Sequence, residues 1–514
     1  MRILYLDCDS LRPDHLGCYG YHRDTSPTID RLAEGGRRFT NYYASDVPCL
    51  PSRSAFFSGR FGIHNGVINH GGVNADVRHR GRRRKTNTAN DGYRSFPTVL
   101  RHAGHETAFI SPFPQRHGAW HTIDGFDQWI DTGERGFECA DVVYPYAEEW
   151  LQEHAAEENW YLHVNFWDPH APYDTPEGYG YPFEGAPAPD WPDQEALDAQ
   201  FESYGLHGAR DPPVWDPSLP RQPDEIRTRD QFVEWIDGYD TGIRYMDDHI
   251  GYLLDTLEAQ GVLEDTLVVV SADHGENQGE LNVYGNHVTA DDKSTRIPLI
   301  VSGPGVEPGI DEDFHYNVDF PATLAEFVGA EVPERWDGES FASSLEAGEP
   351  DGREFLVVSQ GALSCQRAVR WGDWMLIRTY HDGLRELDPV ELYDLSADPH
   401  ETTNLARDRP DVARVGISRL EQWHDERMME VVRDRAGGNP ESPNALRDPM
   451  WEVLDEGGAY QAWYDMDHDD DRLAERYADQ LRENGYGNHA ERVETYEGFV
   501  PQDIEGYLAG ESVW

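Results

Sequence analysis

The chain has 514 residues, with 43 basic against 97 acidic side chains and a formal net charge of −54 at pH 7; lysine occurs only at 85 and 293. A surface that acidic repels nucleic acid and itself in dilute buffer, yet stays hydrated when molar salt screens it; nucleic acid is excluded as a partner, and a halophilic, archaeal protein is expected. With 38% hydrophobic residues and the acids spread along the chain, a disordered acidic tail is excluded as well.

The opening run from Ile3 to Leu6 reads as a buried strand that ends in Asp7 and Asp9, followed by a glycine-containing loop. Open α/β sheets place ligands just past the carboxyl ends of their strands, which makes Asp9 a metal-ligand candidate. Next, SPTIDRLAEGG predicts a helix with Ser26 as its cap, Pro27 in the first turn and Gly35 and Gly36 as its stop. The pentapeptide CLPSR, Cys49 to Arg53, fits the CxPxR pattern in which cysteine is oxidised to a formylglycine aldehyde, and places Cys49 in a solvent-reachable pocket at a helix start. Hydrated, such an aldehyde offers one hydroxyl to attack sulfur and a second to expel sulfate afterwards. Taken alone, the pentapeptide fits a buried cysteine at a strand-to-helix turn equally well.

Further on, Arg78, Arg80, Arg82, Arg83, Arg84 and Lys85 form a basic cluster, readable as a loop that balances the acidic surface or as a patch for a polyanionic substrate such as a sulfated glycan. Strand and helix pairs follow: HETAFIS with ADVVYPYAEEWLQEH, WYLHVNFW with the long run from Phe232 to Gly261, and TLVVVSAD and RIPLIVSG with NVDFPATLAEF. Asp273 and His274 stand at the end of the apolar run Leu267 to Val270, repeating the design at Asp9. Two strands delivering oxygen ligands to one edge suit a divalent cation.

This alternation predicts an α/β fold with a mostly parallel central sheet and helices on both faces. From Glu354 to Leu395 short strands predict a small C-terminal antiparallel sheet. The expected division is 1–350 for the α/β unit, with a Pro- and Asp-rich insertion at about 174–230, then 351–426 for the small sheet and 427–514 for an acidic, aromatic-rich extension of unassigned role. Its DMDHDDD run at 465–471 lacks the glycine and terminal glutamate of a calcium loop and reads as a solvated face. Cys8, Cys18, Cys49, Cys139 and Cys365 form no CxxC pair, which argues for a reducing compartment. With no charged start before an apolar leader and no spanning stretch, a cytoplasmic protein without membrane contact is expected.

Besides CLPSR, the chain carries in order DSLRPDHLGCYGY, TSPTIDRLAEGGRRF, FSGR, WDPHAPY, SADHGE, RIPLIVSGPG and ELYDLSADPHETTNLA. Together these resemble the formylglycine-dependent sulfatases of the alkaline phosphatase superfamily, from residue 1 to about 405. The resemblance implies a hydrolase of sulfuric esters with Asp9, Asp273, His274 and Cys49 around one divalent metal ion, Ca²⁺ preferred over Mg²⁺ or Mn²⁺. Cys49 then supplies the aldehyde, Arg53 supports it, and His170 contacts the sulfate ester and protonates the departing alcohol. It also implies a small-molecule or glycan sulfate ester as substrate and a formylglycine-generating enzyme as partner, and leaves homo-oligomer formation open.

Three positions depart from the family pattern. Asp7 precedes Asp9 where many members have two adjacent aspartates, and stands as a ligand or a supporting group. The usual lysine nine residues before the RIPL arginine is His287, assigned to the sulfate, with Lys293 as the alternative. The lysine-and-histidine loop after HETAFIS is replaced by SPFPQRHGAWH, in which Arg116, His117 or His121 could substitute. A phosphonate or phosphate ester hydrolase on the same site, or a binding protein whose Cys49 is never oxidised, are the alternatives.

Overall fold

The computed structural model describes residues 1–70, 94–134, 138–213 and 221–436, single positions between them, and parts of 475–512. The basic run at 78–85 and the acidic run at 465–471 lie outside the described residues. Strands in chain order are β1 (Arg2–Cys8), β2 (Arg37–Tyr43), β3 (Asp46–Val47), β4 (Glu106–Ile110), β5 (Gln128–Ile130), β6 (Trp160–Phe166), β7 (Thr266–Ser271), β8 (Asn277–Gln278) and β9 (Tyr284–Asn286). They continue with β10 (Leu299–Ser302), β11 (Gly309–Tyr316), β12 (Leu356–Gln360), β13 (Cys365–Trp371), β14 (Trp374–His381) and β15 (Val390–Asp394).

Eight strands form the main sheet in the order β11-β2-β10-β7-β1-β6-β4-β5, parallel except for β10, which runs antiparallel to both its neighbours. The apolar runs of β1, β6 and β7 are buried along almost their whole length, as the centre of a sheet covered on both faces requires. These three are adjacent, with Asp7 opposite Asn165 on β6 and Ser271 on β7. Their carboxyl ends therefore reach one edge together. That adjacency brings loops far apart in sequence to a single site.

The helices Ala140–His154 and Arg229–Ala259 pack on one another against the sheet. The longer one starts with a reciprocal cap between Thr228 and Gln231. Ser26 does occupy the cap position of the Pro27–Gly35 helix, but its hydroxyl engages the Gly17 amide and Asp30. The free amides of Thr28 and Ile29 instead donate to the buried Asp247 carboxylate at 2.8 and 2.9 Å. A cap supplied from 219 residues away leaves no local pattern to read.

The small sheet runs β15-β14-β13-β12-β3, antiparallel except for β12 with β3. Its last strand belongs to the N-terminal half and lies two residues before Cys49. The segment between β2 of the main sheet and the Cys49–Ser58 helix is thus pinned by the small sheet, and all ten residues of that helix are buried. All five cysteines are free thiols. Among the described residues, no helix is long and apolar enough to cross a membrane.

Candidate active site

Cys49 opens its helix, as expected, but its exposure is only 1%, so the expected solvent-reachable position is corrected. Leu50, Val67, Phe113 and Ala119 pack around it, and histidines cover its sulfur. Its Sγ lies 3.0 Å from His274 Nε2 and 3.7 Å from His287 Nε2. Burial, then the nearby Asp9 and Asp273, push the thiol pKa well up.

One turn along the helix, Arg53 faces three carboxylates. Its Nε donates to Asp7 Oδ2 at 3.0 Å, its Nη2 sits 3.2 Å from Asp9 Oδ2, and its Nη1 bonds Asp273 Oδ2. Its guanidinium also lies 4.5 Å from the Phe113 ring centre. Asp7 is further held by His163 Nε2 at 3.3 Å, which places it behind Arg53 and outside the cluster nearest the sulfur. Three buried carboxylates share one buried guanidinium, a formal excess of two negative charges. The strain shows in Asp273: burial raises its pKa well above the carboxylate range, against the pull of Arg53.

Asp9, Cys49, Asp273 and His274 each offer one ligand atom, all within 4.8 Å of one another and all buried. His274 donates Nδ1–H to the Gly275 carbonyl at 2.7 Å, which leaves the Nε2 lone pair facing this group. Burial lowers its pKa to about 4, so it is a neutral imidazole at neutral pH. Gly275 is required here by close approach: a Cβ would lie 1.9 Å from the Lys293 carbonyl oxygen. A donor set of two carboxylates and a fixed imidazole, carrying excess negative charge, fits a divalent cation.

On the other side of Cys49 stand His170 and His287, with ring centres 5.2 Å apart. His170 gives its Nδ1–H to the Ala171 carbonyl and stacks on Trp167 at 4.0 Å. Arg116 covers that indole at 3.7 Å. Burial brings His170 to about 3 and moves His287 well below the ordinary histidine value. His287 stacks on His274 at 3.9 Å, and its Nδ1 is buried without a hydrogen-bond partner among the described residues.

Lys293 is not brought to this pocket: its Nζ pairs with Asp14 at 3.2 Å and Asp292 at 3.4 Å. Of the replacement-loop residues, Arg116 reaches the Trp167–His170 stack, His117 packs on Phe113 and His70, and His121 meets Ser54 Oγ at 2.7 Å. Sequence reading passed over His163, His70 and Trp167, because a buried histidine or tryptophan in an apolar strand or loop looks like core.

The family model for sulfatases matches residues 2–330 of this chain. The chain belongs to the sulfatase family. A second model, the C-terminal part of N-sulphoglucosamine sulphohydrolase, matches residues 279–427 of this sulfatase. Among curated relatives, the N-acetylglucosamine-6-O-sulfatase of Bacteroides thetaiotaomicron is 25% identical, over 78% of this chain and 82% of that protein. The choline-sulfatase of Rhizobium meliloti is 28% identical, over 88% and 90%. Among solved structures, a protein in complex with its substrate D-glucosamine-2-N,6-O-disulfate aligns with a TM-score of 0.65 at 22% identity, covering 83% of this chain and 98% of that one. The phosphonate monoester hydrolase of Silicibacter pomeroyi aligns with a TM-score of 0.64 at 20% identity, over 84% and 95%. Both share the sulfatase fold. The chain is a hydrolase of sulfuric esters, in a family that generally uses a metal ion and formylglycine.

Proposed function

We propose that this sulfatase cleaves the sulfate monoester of a small alcohol or a glycan at the Cys49 pocket. The observation that carries the reading is the pair of clusters meeting at one sulfur: Asp9, Asp273 and His274 on one side, His170 and His287 on the other. Asp9, Asp273, His274 and residue 49 would hold one divalent cation, with Ca²⁺ favoured by the hard carboxylates and Mg²⁺ or Mn²⁺ as alternatives. When bound, the cation supplies Lewis-acid stabilisation of the negative charge on the sulfuryl oxygens. The formylglycine made from Cys49 by a modifying enzyme supplies a nucleophile that can release its sulfate again, which a serine or thiol cannot.

The chain's own groups do the rest. Arg53 keeps the Asp9 and Asp273 carboxylates aimed and offsets part of their repulsion. The helix N-terminus at residue 49 favours an anion. His287 contacts the sulfate as a neutral hydrogen-bond donor, since burial keeps it unprotonated. His170 has Nε2 available, because Nδ1 is committed to Ala171, and delivers a proton to the departing alcohol. With a pKa of about 3 in the free protein, it needs the substrate's negative charge to draw that proton in.

The named relatives act on a sugar sulfate and on choline sulfate, which supports a sulfated sugar or small alcohol. The phosphonate monoester hydrolase among the fold neighbours makes phosphonate the second reading, since tetrahedral monoanions of both elements suit one pocket. We divide the chain at about 350 and 426 and give the 174–230 insertion a role in substrate access: its His207 carbonyl accepts from the Tyr284 amide at 2.8 Å on the hairpin leading to His287. The charge of −54 supports an enzyme of a salt-adapted archaeon and the five unpaired cysteines a cytoplasmic one, although the relatives named above are bacterial. A panel of sulfated sugars, choline sulfate, aryl sulfates and phosphonate monoesters in molar salt tests the substrate class. Sulfate release from at least one sulfate ester is expected, and turnover of phosphonates alone would replace this reading with the second.

A further inference from the structure

Cys49 belongs to two donor groups at once. Besides the carboxylate group, Cys49, His170 and His287 place one ligand atom each within 4.8 Å of one another, all buried. These are soft and borderline donors: a thiol and two imidazoles, with no carboxylate. His170 has spent Nδ1–H on the Ala171 carbonyl, so its remaining nitrogen carries a lone pair. Among the described residues His287 Nδ1 has no hydrogen-bond partner, and its Nε2 lies 3.7 Å from the sulfur. Bonds of about 2.3 Å to sulfur and about 2.0 Å to nitrogen at a tetrahedral angle put two such donors about 3.5 Å apart. The observed separation needs almost no adjustment. His274 Nε2, at 3.0 Å from Sγ, stands next in line as a fourth donor.

We propose that the chain with Cys49 still a thiol binds one Zn²⁺-class ion through Cys49, His170 and His287, a site that shares Cys49 with the carboxylate cation site beside it but draws on neither Asp9 nor Asp273. On binding, the S–H bond breaks, the sulfur–metal bond forms, and the proton leaves to solvent. Conversion of Cys49 to the aldehyde by the modifying enzyme, a two-electron oxidation that needs an external oxidant such as dioxygen, puts oxygen on the β-carbon and releases the sulfur as sulfide, which removes the soft site while Asp9, Asp273 and His274 remain. The side-chain chemistry of residue 49 thus sets which class of ion the pocket retains: soft before conversion, hard after it. This holds for the thiol form whether or not the aldehyde form hydrolyses sulfate.

The test uses full-length protein in two preparations of known mass at residue 49, thiol and aldehyde, stripped with chelator and titrated with Zn²⁺ by calorimetry and with Co²⁺ by absorption. Thiol protein is expected to take up one ion, with a thiolate-to-cobalt charge-transfer band. Aldehyde protein should show no such band. Cys49→Ala should abolish the band, and His170→Ala and His287→Ala should each weaken Zn²⁺ binding by at least about tenfold. Asp9→Asn should change it much less. A Zn²⁺ affinity equal in thiol and aldehyde protein, a cobalt spectrum without the band, or a loss in Asp9→Asn as large as in His170→Ala would each overturn the proposal. Because the two preparations differ only at one side chain, their comparison decides even if a histidine variant fails to fold.

Discussion

Two buried charge clusters grow from the same strand ends, and only one of them is balanced. After β1 and β7, Arg12 pairs with Asp14 at 2.8 Å and Glu280 at 3.1 Å, and Lys293 closes the group on Asp14. Lys293 also holds Asp292 at 3.4 Å, and Asp292 brings in Arg296 at 3.9 Å, so three cations meet three anions. Against the cost of burial, Arg12 lowers the pKa of both Glu280 and Asp14, so Arg12, Lys293, Glu280 and Asp14 keep their charges. In the neighbouring cluster three carboxylates share Arg53, and burial forces Asp273 up and its histidines down. A balanced cluster is complete without a ligand and works as scaffold. The unbalanced one, more deeply buried, is the one to which we assign the cation.

The contrast can be broken or sharpened by substitution. The largest effect is expected at the nucleophile: Cys49→Ala should lose sulfate release by at least about a thousandfold, with a thermal midpoint close to wild type. Turnover at a near wild-type rate would remove the aldehyde from the account. Next, Asp273→Asn should weaken Ca²⁺ binding by about a hundredfold while leaving stability in chelator unchanged or slightly higher, since it relieves repulsion. Glu280→Gln should do the reverse, costing about 3 to 5 kcal/mol in denaturant unfolding with cation affinity kept. Equal behaviour of the two variants would erase the distinction between the clusters.

The pH dependence separates them by sign. Glu280 and Asp14 have folded pKa values below their unfolded ones, so their stabilisation is full above the ordinary carboxylate range and is lost as pH falls through their lowered values. Asp273 has a raised folded pKa, so its penalty is present at high pH and relieved as pH falls through that value. In chelator, wild-type protein should therefore gain stability relative to Asp273→Asn as pH falls through that raised pKa. Added Ca²⁺ should cancel that gain. The smallest effect is expected at Lys293: Lys293→Ala should lower the midpoint and leave KM unchanged, whereas His287→Ala should raise KM. The opposite pattern would show that the loop after β9 was misread.

What the sequence disclosed follows the same division. Asp9, Asp273 and His274 were legible because the ends of buried parallel strands converge by topology, and Cys49 and Arg53 because their spacing is chemical. The mostly parallel sheet and the small antiparallel one were legible from apolar runs and their alternation with helices. The addition of β3 to the small sheet was not, since a two-residue strand leaves no pattern. Nor was the scaffold cluster: no local pattern around Arg12, Asp14 and Glu280 shows that the fold buries Arg12 and Glu280 and pairs Arg12 with both that carboxylate and the part-exposed Asp14. The choice between His287 and Lys293 stayed open for a related reason, because spacing does not say which side chain already has partners.

The most direct measurement pairs intact-mass analysis of the tryptic peptide around Cys49 with sulfate release from the same natively produced sample. The account predicts that the rate rises in proportion to the fraction carrying the aldehyde, whose mass is lower than the thiol's. Full activity from a sample in which residue 49 is entirely thiol would contradict it.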